Sequence, residues 1–225
     1  FALNKFTSNI HLLILPSDHF VKDIASFAQE INNGTLETEE KHVLTFGIKP
    51  NYPETGYGYI KTSKLLNKND IFTVEKFIEK PDKKTAEKFV QMDEHLWNSG
   101  IFLFKPNTIL RNYKTFVPEI YNSVKSSLEH GKEDLSFFRL SSKYWKPIKA
   151  VSFDYSIMEK ISNVKVVKSK FDWCDLGSWN SVWENGIKDK SGNVKIGNVL
   201  SIDCNNILLK STESDKQLMA IGLKD

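Results

Sequence analysis

The sequence reads as an α/β protein: a mixed sheet flanked by helices, followed by a small C-terminal β extension. Short apolar runs alternate with segments of helical periodicity from His11 onward. Several of those runs stop at Pro or Gly, as buried strands do. From Gly192 the helical pattern gives way to β-like runs such as Ile207 to Leu209 and Leu218 to Ile221.

Taken in order, His11 to Leu15 stops at Pro16, and Val21, Ile24, Phe27, Ala28 and Ile31 then recur at helical spacing. Val43 to Ile48 leads into a loop rich in Pro and Gly. Ile71 to Glu79 alternates like a strand, Pro81 ends it, and Asp82 is placed to cap the next helix. Ile101 to Phe104, bounded by Gly100 and Pro106, suits a strand buried on both faces. A long helical region follows, and Val164 to Val167 gives another strand. A boundary is expected near Gly186, with residues 1–186 as the main domain and residues 187–225 as the β extension. Phe1 to Ser8 looks like the end of a helix, and the first residue is not Met, so the N-terminal part of the domain is expected to be missing.

The bulk properties bound the function. At 225 residues, 40% hydrophobic and 12% aromatic, the chain can bury one sizeable core, or one core plus a small appendage. No stretch reaches the roughly 18 apolar residues of a membrane span, and no charged-then-apolar leader precedes the first residues, so a soluble, cytoplasmic protein with no membrane partner is expected. The net charge of +3, from 31 basic and 28 acidic residues scattered along the chain, offers no stripe for a nucleic acid. Phosphate-bearing small molecules stay open. Cys174 and Cys204 lack zinc-type spacing and CxxC pairing, which argues against a structural metal or disulfide framework and fits a reduced compartment.

Ligands of open α/β sheets sit beyond the carboxyl ends of strands, so the residues just after the apolar runs are where chemistry belongs. Asp18, after the first run, could hold a hard divalent cation through oxygen; it could equally cap the helix beginning near Val21. Its neighbour His19 reads best as a packed or hydrogen-bonded loop histidine. Asp175 could converge with Asp18 on one Mg²⁺ bridging substrate phosphates, or serve as a turn residue. Gly56 and Gly58 flank Tyr57. They could form a tight connection, or let backbone approach a sugar while Glu54 or the tyrosines bond its hydroxyls.

Glu79 beside Lys80 would suit a hexose phosphate, carboxylate to hydroxyl and ammonium to phosphate, or else forms only a solvated strand terminus. Asn98 offers donors and an acceptor, though Asn before a buried strand often only forms a turn, and Trp97 reads as packing. Asp154 is an N-cap by the simplest reading, and can also reach a pocket mouth from between two strand-like segments.

In order and wording, LPSDH, FGIKPNYPETGYGYI, FIEKP, WNSGIFLF, SFDYSIMEK and WCDLGSW resemble the successive motifs of the mannose-1-phosphate guanylyltransferases, a set that spans nearly the whole chain. The resemblance implies a Rossmann-like nucleotidyltransferase fold that joins GTP and mannose 1-phosphate into GDP-mannose and pyrophosphate with Mg²⁺. By motif, Asp18 and Asp175 look like the metal-holding pair, Gly58, Glu79 and Asn98 like sugar contacts, and Lys80 like the grip on the sugar phosphate. Tyr57 and Asp154 stand in matching motifs as further substrate contacts. Ser17, Cys174 and Leu176 replace the family's more usual Ala, Ser and Val. The family's opening glycine-rich loop, with its Arg and Lys, is absent, as is the isomerase domain that many bacterial relatives carry at the C-terminus.

The chemistry implied is in-line attack by a sugar phosphate oxygen on the nucleotide's α-phosphorus. A phosphate oxygen is already anionic, so no strong base is needed, in keeping with the lack of a Ser-His-Asp or Cys-His constellation. Three rivals stand beside this: another sugar or base specificity such as glucose 1-phosphate with UTP or dTTP, a catalytically impaired module that binds sugar nucleotide, and an unrelated α/β binding protein. The terminal β segment could support a homo-oligomer, although an edge strand packing on its own domain is more economical.

Overall fold

The apolar runs His11 to Leu15, Val43 to Ile48, Ile71 to Glu79, Ile101 to Phe104 and Val164 to Val167 all carry strands, and further strands that those runs do not announce lie between them. The computed structural model describes residues 10–39, 41–66 and 69–224, so the helix end expected over residues 1–8 lies outside the described residues. The elements run β1 (Leu12–Ile14), β2 (Phe20–Val21), α1 (Ile24–Glu37), β3 (Val43–Ile48), β4 (Tyr59–Leu65), β5 (Ile71–Ile78), α2 (Lys83–Val90) and β6 (His95–Phe104). Then come α3 (Pro106–Phe116), α4 (Pro118–Glu129), β7 (Lys132–Asp134), β8 (Phe137–Arg139), α5 (Ser142–Trp145), a π-helical turn (Asp154–Met158) and β9 (Val164–Lys168). The last are β10 (Trp173–Cys174), α6 (Trp179–Asn185), β11 (Val194–Ile196), β12 (Val199–Ile202), β13 (Leu208–Lys210) and β14 (Leu218–Ile221). Two compact units result. The first takes Val21–Trp173 with the chain up to Pro16, the second Ser17–Phe20 with Cys174–Asp225.

The first unit is built on a six-stranded mixed sheet of order β1-β6-β3-β9-β5-β4, in which β3 and β9 run parallel and the other pairings are antiparallel. Alternation along β3 explains its two covered faces. Val43 joins Ile60, Leu96, Phe102, Phe104 and Val166 on one face, where Phe153 and Met158 of the π-helical region pack. Leu44 and Phe46 point the other way, to Ile101, Leu103 and Phe171, under Phe27 and Ile31 of α1. Gly34 lets α1 lie close: a Cβ there would stand 3.0 Å from Leu44 Cδ2 and 3.2 Å from Leu103 Cδ2.

Several local expectations need correction. Asp23, not Asp18, caps α1, its Oδ1 accepting from Ser26 N at 3.0 Å, because β2 intervenes and moves the helix start downstream. Asp82 does cap α2, accepting from Thr85 N at 2.9 Å. β6 begins at His95, so Asn98 lies inside a strand rather than before one. Ser99 and Asn98 are buried there, and Gly100 absorbs the irregularity with φ +70°. The long helical region is interrupted: Pro118 starts α4 afresh, and β7 pairs with β8 as a hairpin turning through Leu135 at φ +55°.

In the second unit, β11 pairs with β13 and β12 with β14, both parallel, around Cys204, Leu209 and Ala220. Gly186 stands here as the C-cap of α6. No helix among the described residues is long and apolar enough to cross a membrane.

Candidate functional site

The candidate residues fall in two groups, each inside one unit. Tyr57, Gly58, Glu79, Lys80, Asn98 and Asp154 belong to the first, Asp18 and Asp175 to the second.

The first group sits where β4 starts, β5 ends and β6 passes between its two sets of partners. Gly58 O accepts from Asn98 N at 2.8 Å, which fixes the entry to β4 against β6. A Cβ at Gly58 would lie 2.6 Å from Glu79 Oε2 and 3.4 Å from Asn98 Cβ, so the missing side chain is what lets backbone, carboxylate and carboxamide share one space. Gly58 needs no left-handed backbone; its role is room. Tyr57 stands edge-on to Trp97 and to Trp173, each at 5.4 Å between ring centroids, and Trp97 is buried as expected of packing. Gly56 N donates to Glu54 Oε1 at 2.7 Å and Tyr59 Oη to Glu54 O at 2.9 Å, so Glu54 braces this loop.

Asn98 is held from both ends. Its Oδ1 lies 3.0 Å from the Thr45 hydroxyl, and its Nδ2 donates to Asp154 Oδ1 at 3.2 Å. Asp154 is therefore not an N-cap. Phe153 holds that position, and Asp154 is the first residue of the π-helical turn, with its carboxylate turned to the sheet. Burial pushes the Asp154 carboxyl above its ordinary range, while Lys80 and the Asn98 bond pull it down.

Glu79 is no solvated terminus. Its side chain is only 8% exposed, and its pKa is pushed up to about 7, first by burial and then by the nearby charge of Asp154, with Lys80 opposing and Glu159 adding. Lys80 is exposed, its Nζ 3.9 Å from Glu79 Oε1, and its backbone is left-handed at φ +45°. A lysine held there is strained by roughly 1–2 kcal/mol. Glu79 N donates to Glu159 Oε1 at 3.3 Å.

Thr45 and Glu159 were missed in the sequence. Thr45 looks like one more residue of a β run, and only the pairing of Gly47 with Asn98 across β3 and β6 brings it to the carboxamide. Glu159 lies within the quoted SFDYSIMEK, but nothing in its spacing announces that it reaches Glu79.

In the second unit, Asp18 is an exposed turn residue next to β2 and Asp175 follows β10 directly. Burial lowers the His19 imidazole below its usual value, and Asp18 and Asp175 both oppose that, so the two carboxylates bear on one imidazole. Asp175 also does the turn work expected of it: Oδ1 accepts from Gly177 N at 3.0 Å, with Leu176 at φ +49°. Among the described residues, no cluster of three or more His, Cys, Asp or Glu could hold a metal ion. Two carboxylates fit Mg²⁺ all the same, because that ion is ordinarily held by one or two carboxylates with phosphate and water oxygens completing the shell. Cys174 and Cys204 are free thiols.

A family model described as nucleotidyl transferase matches residues 1–192. A mannose-1-phosphate guanylyltransferase of Escherichia coli is 38% identical over 217 residues, covering 95% of this chain and 46% of that protein. One of Salmonella montevideo is 37% identical over 229 residues, covering 100% and 48%. The chain thus spans about half the length of the curated relatives it matches. A crystal structure described as a mannose-1-phosphate geranyltransferase of Thermus thermophilus superposes with a TM-score of 0.82 at 25% identity, over 95% of this chain and 61% of that one. A Helicobacter pylori structure described as a mannose-6-phosphate isomerase gives 0.67 at 26%, over 76% and 66%.

Proposed function

Because the chain belongs to the nucleotidyl transferase family and has its mixed-sheet α/β fold, we propose that it is the nucleotidyl-transferring part of a mannose-1-phosphate guanylyltransferase. The reaction is GTP plus mannose 1-phosphate giving GDP-mannose and pyrophosphate. A phosphate oxygen of the sugar forms the new bond to the α-phosphorus of GTP, the bond from that phosphorus to the β-phosphate oxygen breaks, and the electron pair leaves on pyrophosphate. The work of the protein is positioning and charge neutralisation.

Gly58 provides the space for the sugar, Glu79 and Asn98 meet its hydroxyls, and Tyr57 and Asp154 border the same contact. Lys80 holds the sugar phosphate. Asp18 and Asp175 are the residues that would hold Mg²⁺. When bound, the ion neutralises charge on the reacting phosphates and orients them. A cytoplasmic, thiol-reducing setting belongs to the same reading, supported by the free Cys174 and Cys204.

The observation that carries this reading is the gathering of Gly58, Glu79 and Asn98, from separate segments, around one space that a single methyl group would invade, with Asp154 hydrogen-bonded to Asn98. The test is pyrophosphate release by the intact protein with Mg²⁺ and each pairing of GTP, UTP or dTTP with mannose 1-phosphate or glucose 1-phosphate. GTP with mannose 1-phosphate is expected to be fastest. Faster turnover of UTP or dTTP with glucose 1-phosphate would replace the specificity. Binding of GDP-mannose without turnover of any pair would make the protein a silent binding module.

A further inference from the structure

Thr45 is the only polar side chain that β3 contributes to its face of the sheet, and it is completely buried. A hydroxyl set among valines, leucines and phenylalanines in a strand interior must find partners, because a buried polar group left unpaired is costly. Two acceptors lie within reach: Ile101 O at 2.9 Å and Asn98 Oδ1 at 3.0 Å.

We propose that Thr45 is a positioning residue that, together with Asp154, holds the side chain of Asn98 in the orientation whose hydrogen-bonding edge meets the sugar phosphate. This rests on the reading of Asn98 as a sugar contact. A carboxamide has two faces of opposite sense, and nothing in its shape prefers one. Here Asp154 Oδ1 accepts from Nδ2 and sets the sense of the carboxamide, and the Thr45 hydroxyl, its single proton shared between Ile101 O and Asn98 Oδ1, holds Oδ1 from the other side. One N–H of Asn98 then has no partner among the described residues and is left as a donor for a ligand hydroxyl.

The arrangement is rigid for a structural reason. Thr45 stands beside the register shift that brings Gly47 opposite Asn98, and a Cβ at Gly47 would fall 2.7 Å from Leu96 Cδ1 and 2.8 Å from Val166 Cγ2. The backbones bearing the hydroxyl and the carboxamide are therefore packed without slack.

The test compares Thr45→Val, which keeps the shape and removes the hydroxyl, with Thr45→Ser, which keeps the hydroxyl, in the intact protein. Thr45→Val is expected to raise KM for mannose 1-phosphate about tenfold, with KM for GTP and kcat changed less than about threefold, and Thr45→Ser is expected to stay within about threefold of wild type throughout. Equal losses for both substrates in Thr45→Val, or a loss in Thr45→Ser as large as in Thr45→Val, would overturn the inference, as would a silent Thr45→Val.

A second measurement needs no folded variant. The Asn98 side-chain N–H₂ resonance of the free wild-type protein should be as ordered on the fast timescale as the strand backbone, with an order parameter of about 0.85, whereas one below about 0.6 would mean nothing fixes the carboxamide before the sugar arrives. Asn98→Ala separates the two readings. If Asn98 is no sugar contact, that variant leaves KM for mannose 1-phosphate unchanged; if only the role of Thr45 fails, Asn98→Ala is damaging while Thr45→Val is not.

Discussion

The side-chain amide of Asn98, midway along β6, donates to the carboxylate of Asp154 at 3.2 Å and so ties the sheet to the π-helical turn packed on it. Removing the acceptor frees the amide from the side opposite Thr45. Asp154→Ala is expected to weaken mannose 1-phosphate binding about tenfold and to leave GTP binding within about twofold, as a bond to a charged partner is worth about 1.5–3 kcal/mol. Titration calorimetry with each ligand checks it, and equal losses would point to a general disturbance of the fold.

Glu79 gives a pH dependence. Its pKa in the folded protein is about 7, raised from the ordinary 4.5 by burial first and by Asp154 next. The folded state therefore binds more protons than the unfolded state between those values, and stability falls as pH rises through that window. Thermal unfolding of wild type and Glu79→Gln from about pH 4.5 to about pH 8 should show the variant gaining relative to wild type as pH approaches neutrality, and a constant difference would contradict the assignment. In the same window, sugar phosphate binding by wild type should tighten as Glu79 ionises and becomes a pure acceptor.

Lys80 holds a left-handed backbone that glycine would adopt without strain. Lys80→Gly should keep or raise the melting temperature, the stability gain being at most about 1 kcal/mol, while KM for mannose 1-phosphate rises about tenfold or more. A variant that loses both stability and affinity would show that the lysine stem is needed for packing instead.

At Gly58 the nearest obstacle is the far end of a glutamate at 2.6 Å, which can move, with the Phe77 ring at 3.2 Å needing to give only a few tenths of an ångström. Gly58→Ala should therefore fold with a loss of about 1 kcal/mol or less, yet lose sugar phosphate affinity because Glu79 is displaced. Chemical denaturation and a KM measurement together decide; unchanged KM would remove Gly58 from the sugar contact.

Asp175→Asn keeps an oxygen for Gly177 N and removes only the charge. Turnover is expected to fall about a hundredfold at saturating Mg²⁺ with the melting temperature unchanged within a few degrees, consistent with the several kcal/mol a metal contributes to charge stabilisation. Near wild-type rates across a Mg²⁺ titration would exclude Asp175 as a ligand.

Much of the framework was legible because it depends on local pattern. Val43–Ile48, Val164–Lys168 and Leu218–Ile221 are continuous β-forming runs, and Asp82 followed by Lys83 to Val90 is a cap with its helix. What was hidden depends on partners distant in the chain. Asn98 has the look of a turn former placed before a strand, and it lies inside one because β3 and β4 pair with β6 on either side of it. Asp154 looks like a cap until Asn98, 56 positions away, takes its carboxylate. Asp18 is the cap that the apolar spacing suggests, and the short strand β2 after it moves the helix start so that Asp23 does the capping. The site residues were named through the wording of their motifs; the proximity of Thr45 to Asn98 was not, since a threonine in a β run has no signature of its own.

The tight seat of α1 at Gly34 has a practical consequence for anyone seeking to toughen this protein against heat. Glycine in a helix interior ordinarily invites replacement by alanine for a gain of about 1 kcal/mol. Here the new methyl would press on two leucines, Leu44 and Leu103, that are themselves wedged between helix and strands. The exchange gains stability only if both leucine ends give by a few tenths of an ångström, so engineering effort is better spent on the outward side of the helix.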